Sequence, residues 1–423
     1  MHPPLKVLYL STHFPSVSHT FIADEVRHLR HLGAEVVTAS INSVEAEIAA
    51  TAGGQALAAE TVYVKAVGAR GGVTAMLSAV RRAPLAVARC MVRMLRRDAA
   101  DLPRSGKRLM QFVEAAVLWQ HCDRLGITAI HAHFGQVPAT VAWYTAEIGN
   151  AIDGRGERGQ PARRWTWSVT IHGWHEFTLE HAAQLREKLA ATSLVVCVSD
   201  FTHAQLQRIA DPADWSKIRV IRCGIDPALF PARPKTVANT PPVVLTTARL
   251  SPEKGHVVLL EAAAMLRDSG RELRLVFVGS GPFRSELERA VAMHGLRDAV
   301  QFRGALAPAE VNDELRSADL FCLPSSAEGL PVSIMEAMAV GVAVVTTYIS
   351  GIPELVVNDE TGWIVPACRA DLLAAAIESA LSDHERTRQI VGAARAAVVD
   401  RHDGARNALA LRDALTNAHT RGS

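Results

Sequence analysis

Short runs rich in Val and Leu alternate with helical patterns along most of the chain. Such runs predict parallel strands, because a strand covered by helices on both faces is apolar throughout. In the first half they lie at residues 6–10, 35–39, 129–131, 166–171, 195–198 and 219–221, with an amphipathic helical pattern at residues 21–32. In the second half they lie at residues 243–247, 273–278, 300–302, 320–323 and 342–346. The alternation predicts an α/β protein with two helix-covered parallel sheets.

The apolar periodicity stops where prolines cluster, at residues 231–242. This composition is typical of a linker. We therefore predict a first domain at residues 1–231, a second at 232–385, and a helical segment at 386–423 that packs back toward the first domain. Ligands of doubly wound domains bind beyond the carboxyl ends of the strands. We accordingly expect two Rossmann-like domains that face each other across a cleft.

Size and composition exclude some classes of protein. The 423 residues are enough for two domains with separate cores. The 45 Lys and Arg nearly balance the 43 Asp and Glu, which argues against a general nucleic-acid-binding protein. The six cysteines are scattered without a C-x-x-C pair, which favours reduced thiols and a cytoplasmic location. We recognise no secretory leader and no apolar run of membrane-spanning length, so we expect a soluble or peripheral protein.

Two carboxylates flank a predicted loop-to-helix junction late in the chain. Glu328 precedes the turn, and Glu336 lies eight positions later inside the helix. Pro331 suits the first helical position, and the backbone N–H groups around Leu330 and Val332 would then meet a ligand at the positive end of the helix dipole. The pattern favours a sugar nucleotide, with its diphosphate at the helix and its hydroxyls on the carboxylates. Two solvated acids on an ordinary helix are the alternative.

Two cations follow the first strand of the second half. Arg249 and Lys254 lie five positions apart in a loop that Pro252 keeps from being helical. Together they could neutralise the charge on a departing diphosphate, although a solvated surface pair is the alternative. Gly279 and Gly281 follow another strand and would let the backbone approach a ligand, but tight turns use the same residues.

The order and spacing of these segments resemble the family 4 retaining glycosyltransferases of GT-B fold. The resemblance rests on residues 249–255, 279–282, 328–336 and 350–354. It implies that Arg249 and Lys254 hold the diphosphate of a UDP- or GDP-sugar, that Glu336 holds the ribose, and that Glu328 holds the sugar near its reacting face. It also implies hexosyl transfer with retained configuration and without a metal. The absence of a D-x-D pair agrees with that last expectation.

The first half narrows the resemblance to the exopolysaccharide, colanic-acid-type branch. The segments that carry it are residues 14–22, 131–135, 171–177 and 215–226. Where many relatives have a glycine pair, this chain offers hydroxyls for contact with the acceptor or a phosphate, on Ser16, Ser18 and Thr20. The resemblance implies the domain roles as well, the first domain binding the acceptor and the second the nucleotide sugar.

Histidines of the first half are further candidates. By the resemblance His172 acts with Glu328 in catalysis, either hydrogen-bonding the donor sugar as a neutral imidazole or steadying the diphosphate when protonated. A satisfied core histidine is the alternative. His131 and His133 alternate on one strand, where packing or acceptor positioning is expected, and without a third ligand the pair does not indicate zinc. The roles of His175 and Glu176 stay open.

The basic segment at residues 71–108 is a candidate membrane contact. A helical wheel gathers five arginines on one side: Arg82, Arg89, Arg93, Arg96 and Arg97. Such a face suits anionic lipid headgroups and thus a lipid-linked acceptor at the inner face of the cytoplasmic membrane. An ordinary helix with a solvated charged face is the alternative, and Pro84 restarts the helix within the segment.

Two rival functions share these motifs. A sugar-nucleotide epimerase of GT-B type would bind the same diphosphate but turn over the nucleotide sugar without an acceptor. A non-catalytic sugar-nucleotide-binding subunit of a polysaccharide assembly complex would bind it without turnover. The intact Glu328, Glu336, Arg249 and Lys254 argue against the non-catalytic subunit.

Overall fold

The computed structural model describes residues 4–16, 20–44, 52–96, 102–154, 163–233 and 239–420. The chain forms two compact units. Unit 1 contains the described residues up to Val198, Thr202–Ile221 and those from Ala408 onward. Unit 2 contains Ser199–Phe201 and Arg222–Asn407. None of the described helices combines the length and the apolar character needed to cross a bilayer.

Unit 1 is built on a parallel sheet in the strand order β3-β2-β1-β4-β5-β6-β7. Its strands are β1 Lys6–Ser11, β2 Glu35–Ser40, β3 Val62–Tyr63, β4 Ala129–His133, β5 Thr166–Ile171, β6 Leu194–Cys197 and β7 Ile218–Val220. The six predicted strands are confirmed, with ends within two residues, and β3 was not predicted. Its helices are α1 Thr20–His31, α2 Ala52–Glu60, α3 Gly68–Arg82, α4 Pro84–Arg96, α5 Leu102–Leu125, α6 Val137–Asp153, α7 Leu179–Ala191 and most of α8 Asp200–Ile209.

Both faces of this sheet are covered. Every residue of β5 is buried, as expected of an inner parallel strand. One face packs on helices α3 to α6 in a core that includes Leu118 and Trp119. The other face packs on α1 and on the carboxyl-terminal helix, whose Leu411 and Leu415 join the same cluster as Val7 of β1.

Unit 2 repeats the plan with a parallel sheet in the order β10-β9-β8-β11-β12-β13. Its strands are β8 Val243–Thr247, β9 Arg274–Val278, β10 Val300–Gly304, β11 Leu320–Leu323, β12 Ala343–Thr347 and β13 Trp363–Val365. The five predicted strands are confirmed, and the edge strand β13 was not predicted. The helices that follow are α9 His256–Asp268, α10 Arg284–Met293, α11 Pro308–Ser317, α12 Val332–Val340, α13 Ile352–Leu355, α14 Ala370–Ser382 and α15 His384–Arg401. The last helix, α16 Gly404–Thr420, belongs to unit 1 from Ala408 onward.

Parallel pairing places the carboxyl ends of neighbouring strands at one edge of each sheet. In unit 1 the loops after β1, β4 and β5 therefore lie side by side. In unit 2 the same holds for the loops after β9, β8, β11 and β12. Of the predicted site residues that the structure describes, His133 is the last residue of β4, and the others lie in these loops or in the helices that follow them.

Candidate functional site

The loops after β8 and β11 bring a cation and a carboxylate together in unit 2. Lys254 Nζ lies 2.7 Å from Glu328 Oε1, and Ser325 Oγ donates a hydrogen bond to the same oxygen at 2.7 Å. Glu328 is buried, whereas the side chain of Lys254 remains 21% exposed. The buried carboxylate of Glu328 is thus paired with a lysine. The lysine side chain still reaches solvent, so an anionic ligand can approach it.

Gly255 explains why these two loops approach so closely. After the single turn Pro252–Lys254, its backbone adopts the left-handed conformation at φ 71°. A Cβ atom at this position would lie 2.0 Å from the carbonyl oxygen of Pro324. Helix α9 begins directly afterwards, and Ser326 N donates to Glu253 O at 2.8 Å. The loop that carries Lys254 is therefore docked on the loop that carries Glu328.

Arg249 starts the same loop and remains largely in solvent. Its side chain is 62% exposed, and its Nη2 lies 3.6 Å from Glu253 Oε1. An exposed ion pair at this distance contributes little to stability, so the guanidinium can change partner at small cost. Arg249 and Lys254 thus stand on one loop at the carboxyl edge of the sheet, as the sequence predicts.

Gly279 and Gly281 are required by packing between two backbones. A Cβ on Gly279 would lie 2.0 Å from Ala248 O, and one on Gly281 would lie 2.2 Å from Leu250 O. Gly279 also has φ 136°, which side chains rarely adopt. The glycines therefore seat the loop after β9 against the Arg249 loop. Contact with a ligand at these glycines stays a prediction.

The loop-to-helix junction exists, with a boundary one residue later than predicted. Pro331 is the N-cap residue in extended conformation, and Val332 is the first residue of α12. The fixed φ of proline near −70° is also compatible with this cap. Leu330 and Pro331 are buried, and Glu336 is half-buried in the second turn. The first N–H groups of α12 have no partner within the helix, so this end can receive an anion.

Glu354 closes the segment 350–354 with contacts that sequence reasoning did not predict. Its carboxylate accepts hydrogen bonds from the backbone N–H groups of Asp200 and Phe201, both at 2.9 Å. Arg222 Nη2 donates to it as well, at 2.9 Å. Glu354 thus satisfies two backbone N–H groups and pairs with a cation within unit 2.

In unit 1 His172 follows β5 and contacts His133 at the end of β4. His172 Nε2 lies 3.0 Å from His133 Nδ1. The ring of His172 packs on Phe134 and Phe21, with centroid distances of 4.6 and 4.9 Å. His133 is fully buried, whereas His172 is half-buried. His172 is thus the member of the pair with access to a ligand.

Glu176 holds the backbone that carries His172. Its carboxylate accepts hydrogen bonds from His172 N at 2.8 Å and Gly173 N at 3.3 Å, and from Gly135 N after β4. Burial raises the pKa of Glu176 to about 7, against the opposing effect of these amide donors and Lys188. Lys188 Nζ donates to Gly135 O at 2.6 Å. Sequence left the role of Glu176 open; the structure shows that it ties two loops together.

The segment that carries the hydroxyls of Ser16, Ser18 and Thr20 is only partly described. Ser16 is buried, and Thr20 is exposed at the first residue of α1. Ser18 lies outside the described residues. Contact of these hydroxyls with an acceptor or a phosphate stays a prediction.

The described arginines of the predicted row lie on two helices. The helix breaks between α3 and α4, and Arg82 turns to Asp123 at 2.6 Å and Asp153 at 3.5 Å. The break lies next to Pro84, where the sequence indicates that the helix restarts, so Arg82 is on a different helix from Arg89 and Arg93. Arg89 and Arg93 are exposed on α4, and Arg97 and the side chain of Arg96 lie outside the described residues.

Three side chains of unit 1 could in principle ligate a metal. Glu25, His131 and His133 have ligand atoms within 4.8 Å of one another. The ring nitrogens of His131, however, lie 2.8 Å from Ser168 Oγ and 2.9 Å from Thr170 Oγ1. Burial lowers the pKa of His131 well below its ordinary value, so the ring is neutral and engaged by hydroxyls. Of the three residues, His131 is thus engaged by hydroxyls, whereas Glu25 Oε1 and His133 Nε2 lie 3.3 Å apart and have no hydrogen-bond partner among the described residues.

Comparisons with known proteins agree with the fold and identify the family. Residues 231–397 match the family model described as Glycosyl transferases group 1. The putative colanic acid biosynthesis glycosyltransferase WcaL of Escherichia coli (strain K12) is 30% identical over 381 residues, covering 88% of this chain and 89% of that protein. The amylovoran biosynthesis glycosyltransferase AmsK of Erwinia amylovora is 34% identical over 225 residues, covering 52% of this chain and 55% of that protein.

Solved structures show the same fold over the whole chain. The glycosyltransferase of Rickettsia africae ESF-5 superposes with a TM-score of 0.71 at 17% identity, covering 100% of both chains. Anabaena Alr3699/HepE in complex with UDP-glucose superposes with a TM-score of 0.70 at 17% identity, covering 98% of this chain and 100% of that one. With its two parallel-sheet units and its match to WcaL, this chain belongs to the group 1 glycosyltransferases of GT-B fold.

Proposed function

We propose that this protein transfers a hexose from a UDP- or GDP-sugar to a growing, lipid-linked glycan of exopolysaccharide biosynthesis, with retention of configuration. The observation that carries the proposal is the contact of Lys254 with the buried, Ser325-bonded Glu328 at the carboxyl edge of unit 2. This contact places a positive charge beside a carboxylate that can accept hydrogen bonds from sugar hydroxyls.

The donor diphosphate is held by charge. The ammonium of Lys254 has three donors, so it can contact Glu328 and a phosphate oxygen together. Arg249 adds a mobile guanidinium from the same loop, and the amino terminus of α12 adds N–H donors. Glu336 binds the ribose hydroxyls. These groups stabilise the negative charge that develops as the diphosphate leaves, which is where such preorganised contacts accelerate a reaction most.

The transfer itself needs no nucleophile from the protein. The acceptor hydroxyl attacks the anomeric carbon on the face that the diphosphate leaves. The bond from that carbon to the phosphate oxygen breaks, a new bond to the acceptor oxygen forms, and the acceptor proton passes to the leaving phosphate. His172 binds a sugar hydroxyl beside this centre and orients it. The substrates come from outside the chain, and no metal enters the step.

Names of relatives and neighbours support the substrate classes. WcaL and AmsK are named for the biosynthesis of colanic acid and amylovoran, two exopolysaccharides. HepE is described in complex with UDP-glucose. Similarity of fold at 17% identity supports a nucleotide-sugar donor in general terms, and the base and sugar are left to experiment.

We further propose that unit 1 contacts an anionic lipid surface through α3 and α4. Apolar side chains on these helices face solvent: Val73 is 58% exposed, Leu77 50%, Leu85 71% and Val92 43%. Between Glu60 and Asp98 the chain has no acidic residue, while its arginines recur throughout. Apolar side chains among cations match the acyl boundary and headgroups of an anionic bilayer, at about 1 kcal/mol for each cation near the surface.

Cosedimentation with vesicles tests this contact. We expect the full chain to bind vesicles containing phosphatidylglycerol and not vesicles of phosphatidylcholine alone. Arg89→Glu and Leu85→Ser should each weaken binding to these vesicles. Arg289→Glu, which changes an exposed residue of α10 in unit 2, should not. Equal binding to both kinds of vesicle would contradict the proposed contact with an anionic lipid surface.

A turnover assay tests the transferase. The full chain is incubated in EDTA with single nucleotide sugars, with and without membranes that supply lipid-linked acceptors. We expect release of UDP or GDP from one sugar class, dependent on acceptor, and strongly reduced by Glu336→Gln. The exposed Glu360→Gln is the matched control and should retain activity. Conversion of the nucleotide sugar without acceptor would identify an epimerase instead, and binding without turnover would identify a non-catalytic subunit.

A further inference from the structure

A cavity of about 580 Å³ lies at the amino edge of the sheet of unit 1. Its lining includes Thr166 and Leu194, the first residues of β5 and β6, and Lys217, which directly precedes β7. Residues of helices α6, α7 and α16 complete the wall. Because the strands are parallel, this edge is opposite to the carboxyl edge that carries His172. The cavity is therefore separate from the candidate site described above.

Positive side chains predominate in the lining of this cavity. Arg164, Lys217 and Arg219 belong to it, and Glu147 is the acid among its described lining residues. Lys217 is already paired with Asp214, at 2.6 Å. Within the part of the chain that the structure describes, the side chains of Arg164 and Arg219 form no ion pair and no hydrogen bond, and both residues are exposed. Two guanidinium groups thus remain available for an anion.

The pleat of the sheet places Arg219 beside the carboxyl-terminal helix. Ile218 packs in the core on one face of the sheet, so the next side chain along β7 points to the opposite face. That opposite face is the one that α16 covers. The residues of α16 that line the cavity include Ala414 and Ala418, whose small side chains leave space beside Arg219.

Hydrogen bonds hold the aromatic wall of the cavity in place. Asn150 of α6 accepts a hydrogen bond from Trp165 N at 2.9 Å and donates one to Trp165 O at 2.8 Å. Trp165 Nε1 donates to Asp153 at 2.8 Å, and Trp167 Nε1 donates to Ala191 O at 3.2 Å. A ligand would therefore not have to order these side chains, which favours binding.

We propose that this cavity binds the phosphate group of a small molecule or of a lipid headgroup, with Arg164 and Arg219 as its cationic partners. A guanidinium group donates parallel hydrogen bonds to phosphate oxygens, and one phosphate has enough acceptors for both arginines. Ser193, Ser216 and Asn417 line the same space and can contact the hydroxyls of the ligand. The volume lies within the range of about 300–1,000 Å³ that is usual for small-molecule sites.

The surroundings of the cavity favour a lipid as the source of the phosphate. Glu147, in the lining, pairs with Arg93 of α4 at 3.5 Å. The cavity therefore adjoins the helix that we propose to meet the headgroups of an anionic bilayer. The choice of a lipid rests on that proposed contact, whereas binding of a phosphate does not.

Titration with three phosphates tests the site and separates the sources. Inorganic phosphate, glycerol 3-phosphate and monomeric dihexanoyl phosphatidylglycerol are added to the full chain labelled with ¹⁵N-tryptophan. We expect the indole N–H signals of Trp165 and Trp167, assigned by Trp→Phe substitutions, to shift with glycerol 3-phosphate and to shift at lower concentration with the lipid. Tighter binding of glycerol 3-phosphate would support the phosphate site and assign it to a soluble ligand. Unchanged signals with all three would overturn the proposal.

Substitutions in the lining test the role of the two arginines. Arg164→Gln and Arg219→Gln should each weaken binding about 10-fold, as expected for the loss of one charge-assisted contact. Arg186→Gln is the matched control, because Arg186 is an exposed arginine of α7 outside the lining. Ala191→Trp keeps every charge but fills the cavity from an exposed position, so it should abolish binding. Thermal unfolding of each variant confirms that the fold is retained.

Two results of these substitutions would overturn the phosphate site. An equal loss in Arg186→Gln would indicate attraction to the general charge of the surface, and native affinity in Ala191→Trp would place the ligand outside the cavity.

Arg89→Glu separates this proposal from the lipid contact proposed above. Arg89 lies on α4 and outside the lining, so the variant should lose binding to vesicles and keep the shifts caused by glycerol 3-phosphate. Should the native chain not bind vesicles, the lipid is removed as the source, while the indole spectra still decide whether the cavity binds a phosphate.

Discussion

The polar side chains at the carboxyl edges of the two sheets differ in their exposure to solvent. In unit 1 the side chain of His133 is 0% exposed and contacts Glu25 at 3.3 Å and His172 at 3.0 Å. In unit 2 the cations stay in reach of solvent, with Lys254 21% and Arg249 62% exposed. Buried polar groups depend on partners within the protein, whereas exposed cations can still pair with the charge of a ligand. This difference is compatible with the proposed hydroxyl recognition in unit 1 and anion binding in unit 2.

The units also differ in how they shape their loops. Unit 1 uses the buried carboxylate of Glu176, which satisfies backbone N–H groups of two loops. Unit 2 uses glycines whose missing side chains let one backbone lie against another, as at Gly255 and Gly279. Changes at these positions should therefore act by different physical causes, and the following predictions exploit that difference.

The largest effect should come from Lys254→Ala. The change removes the charge that we propose contacts the leaving diphosphate, and it leaves the buried Glu328 without its cation. We expect kcat/KM to fall about 100- to 1,000-fold, the usual loss for one preorganised electrostatic contact. Lys254→Arg keeps the charge and should retain more activity. Steady-state kinetics on both variants make the comparison, and equal activities of Lys254→Ala and the native chain would remove Lys254 from the site.

A smaller effect, on stability, is expected for Glu176→Ala. Three backbone N–H groups lose their acceptor, and each buried amide left unpaired costs about 1–3 kcal/mol before water compensates. We expect the free energy of unfolding to fall by about 3 kcal/mol in denaturant titration. The exposed Glu35→Ala, which breaks a pair with Lys6, should change it by less than about 0.5 kcal/mol. Similar losses in both variants would contradict the structural role of Glu176.

Gly279→Ala should destabilise unit 2 through a backbone clash. Its Cβ would meet Ala248 O at 2.0 Å, and its φ of 136° is unfavourable for alanine. Gly270 provides the matched control, because its φ is also positive, at 90°, while nothing lies within 4 Å of its Cβ position. We expect the loss in free energy of unfolding to exceed that of Gly270→Ala by about 2 kcal/mol. If denaturant titration gives the same loss for both, the loops do not pack as described.

The smallest effect concerns a surface ion pair of unit 2. Hydrogen bonding to Arg271 lowers the pKa of Glu378 to about 2. Because the folded-state pKa is depressed, the stabilisation is complete above the ordinary carboxyl pKa of about 4.3 and is lost as the pH falls toward 2. Both side chains are at least a third exposed, so solvent screening limits the contribution to less than about 1 kcal/mol.

Unfolding of Arg271→Ala as a function of pH checks this contribution. The difference in stability from the native chain should shrink between pH 4 and pH 2. A difference that stays constant over this range would show that the pair does not stabilise the folded state.

Much of the fold could be predicted because inner parallel strands are apolar throughout. Strand β5, for example, was located at both ends from its sequence. The short edge strands β3 and β13 were not predicted, because Val62–Tyr63 and Trp363–Val365 are too brief to show a pattern and include half-buried residues. Length and burial therefore decide which strands a sequence reveals.

The candidate site, like the fold, was predicted only in part. The neighbourhood of Lys254 and Glu328 was expected, because loops at the carboxyl ends of paired strands must meet and the motif spacing marked these loops. The contact of Glu25 with His133 was not expected, since it depends on how α1 packs on the sheet. Glu354 was missed for a similar reason, because its partners lie about 150 positions away. Spacing along the chain carries no signal of such long-range contacts.

The central claim is that unit 2 binds the diphosphate of a nucleotide sugar at the Lys254 loop and the start of α12. Hydrogen–deuterium exchange of the full chain, with and without UDP or GDP in EDTA, tests it most directly. We predict that one nucleotide slows exchange at residues 249–255 and 330–334, and that Lys254→Ala abolishes this protection. Protection confined to other segments, or absent with both nucleotides, would contradict the account.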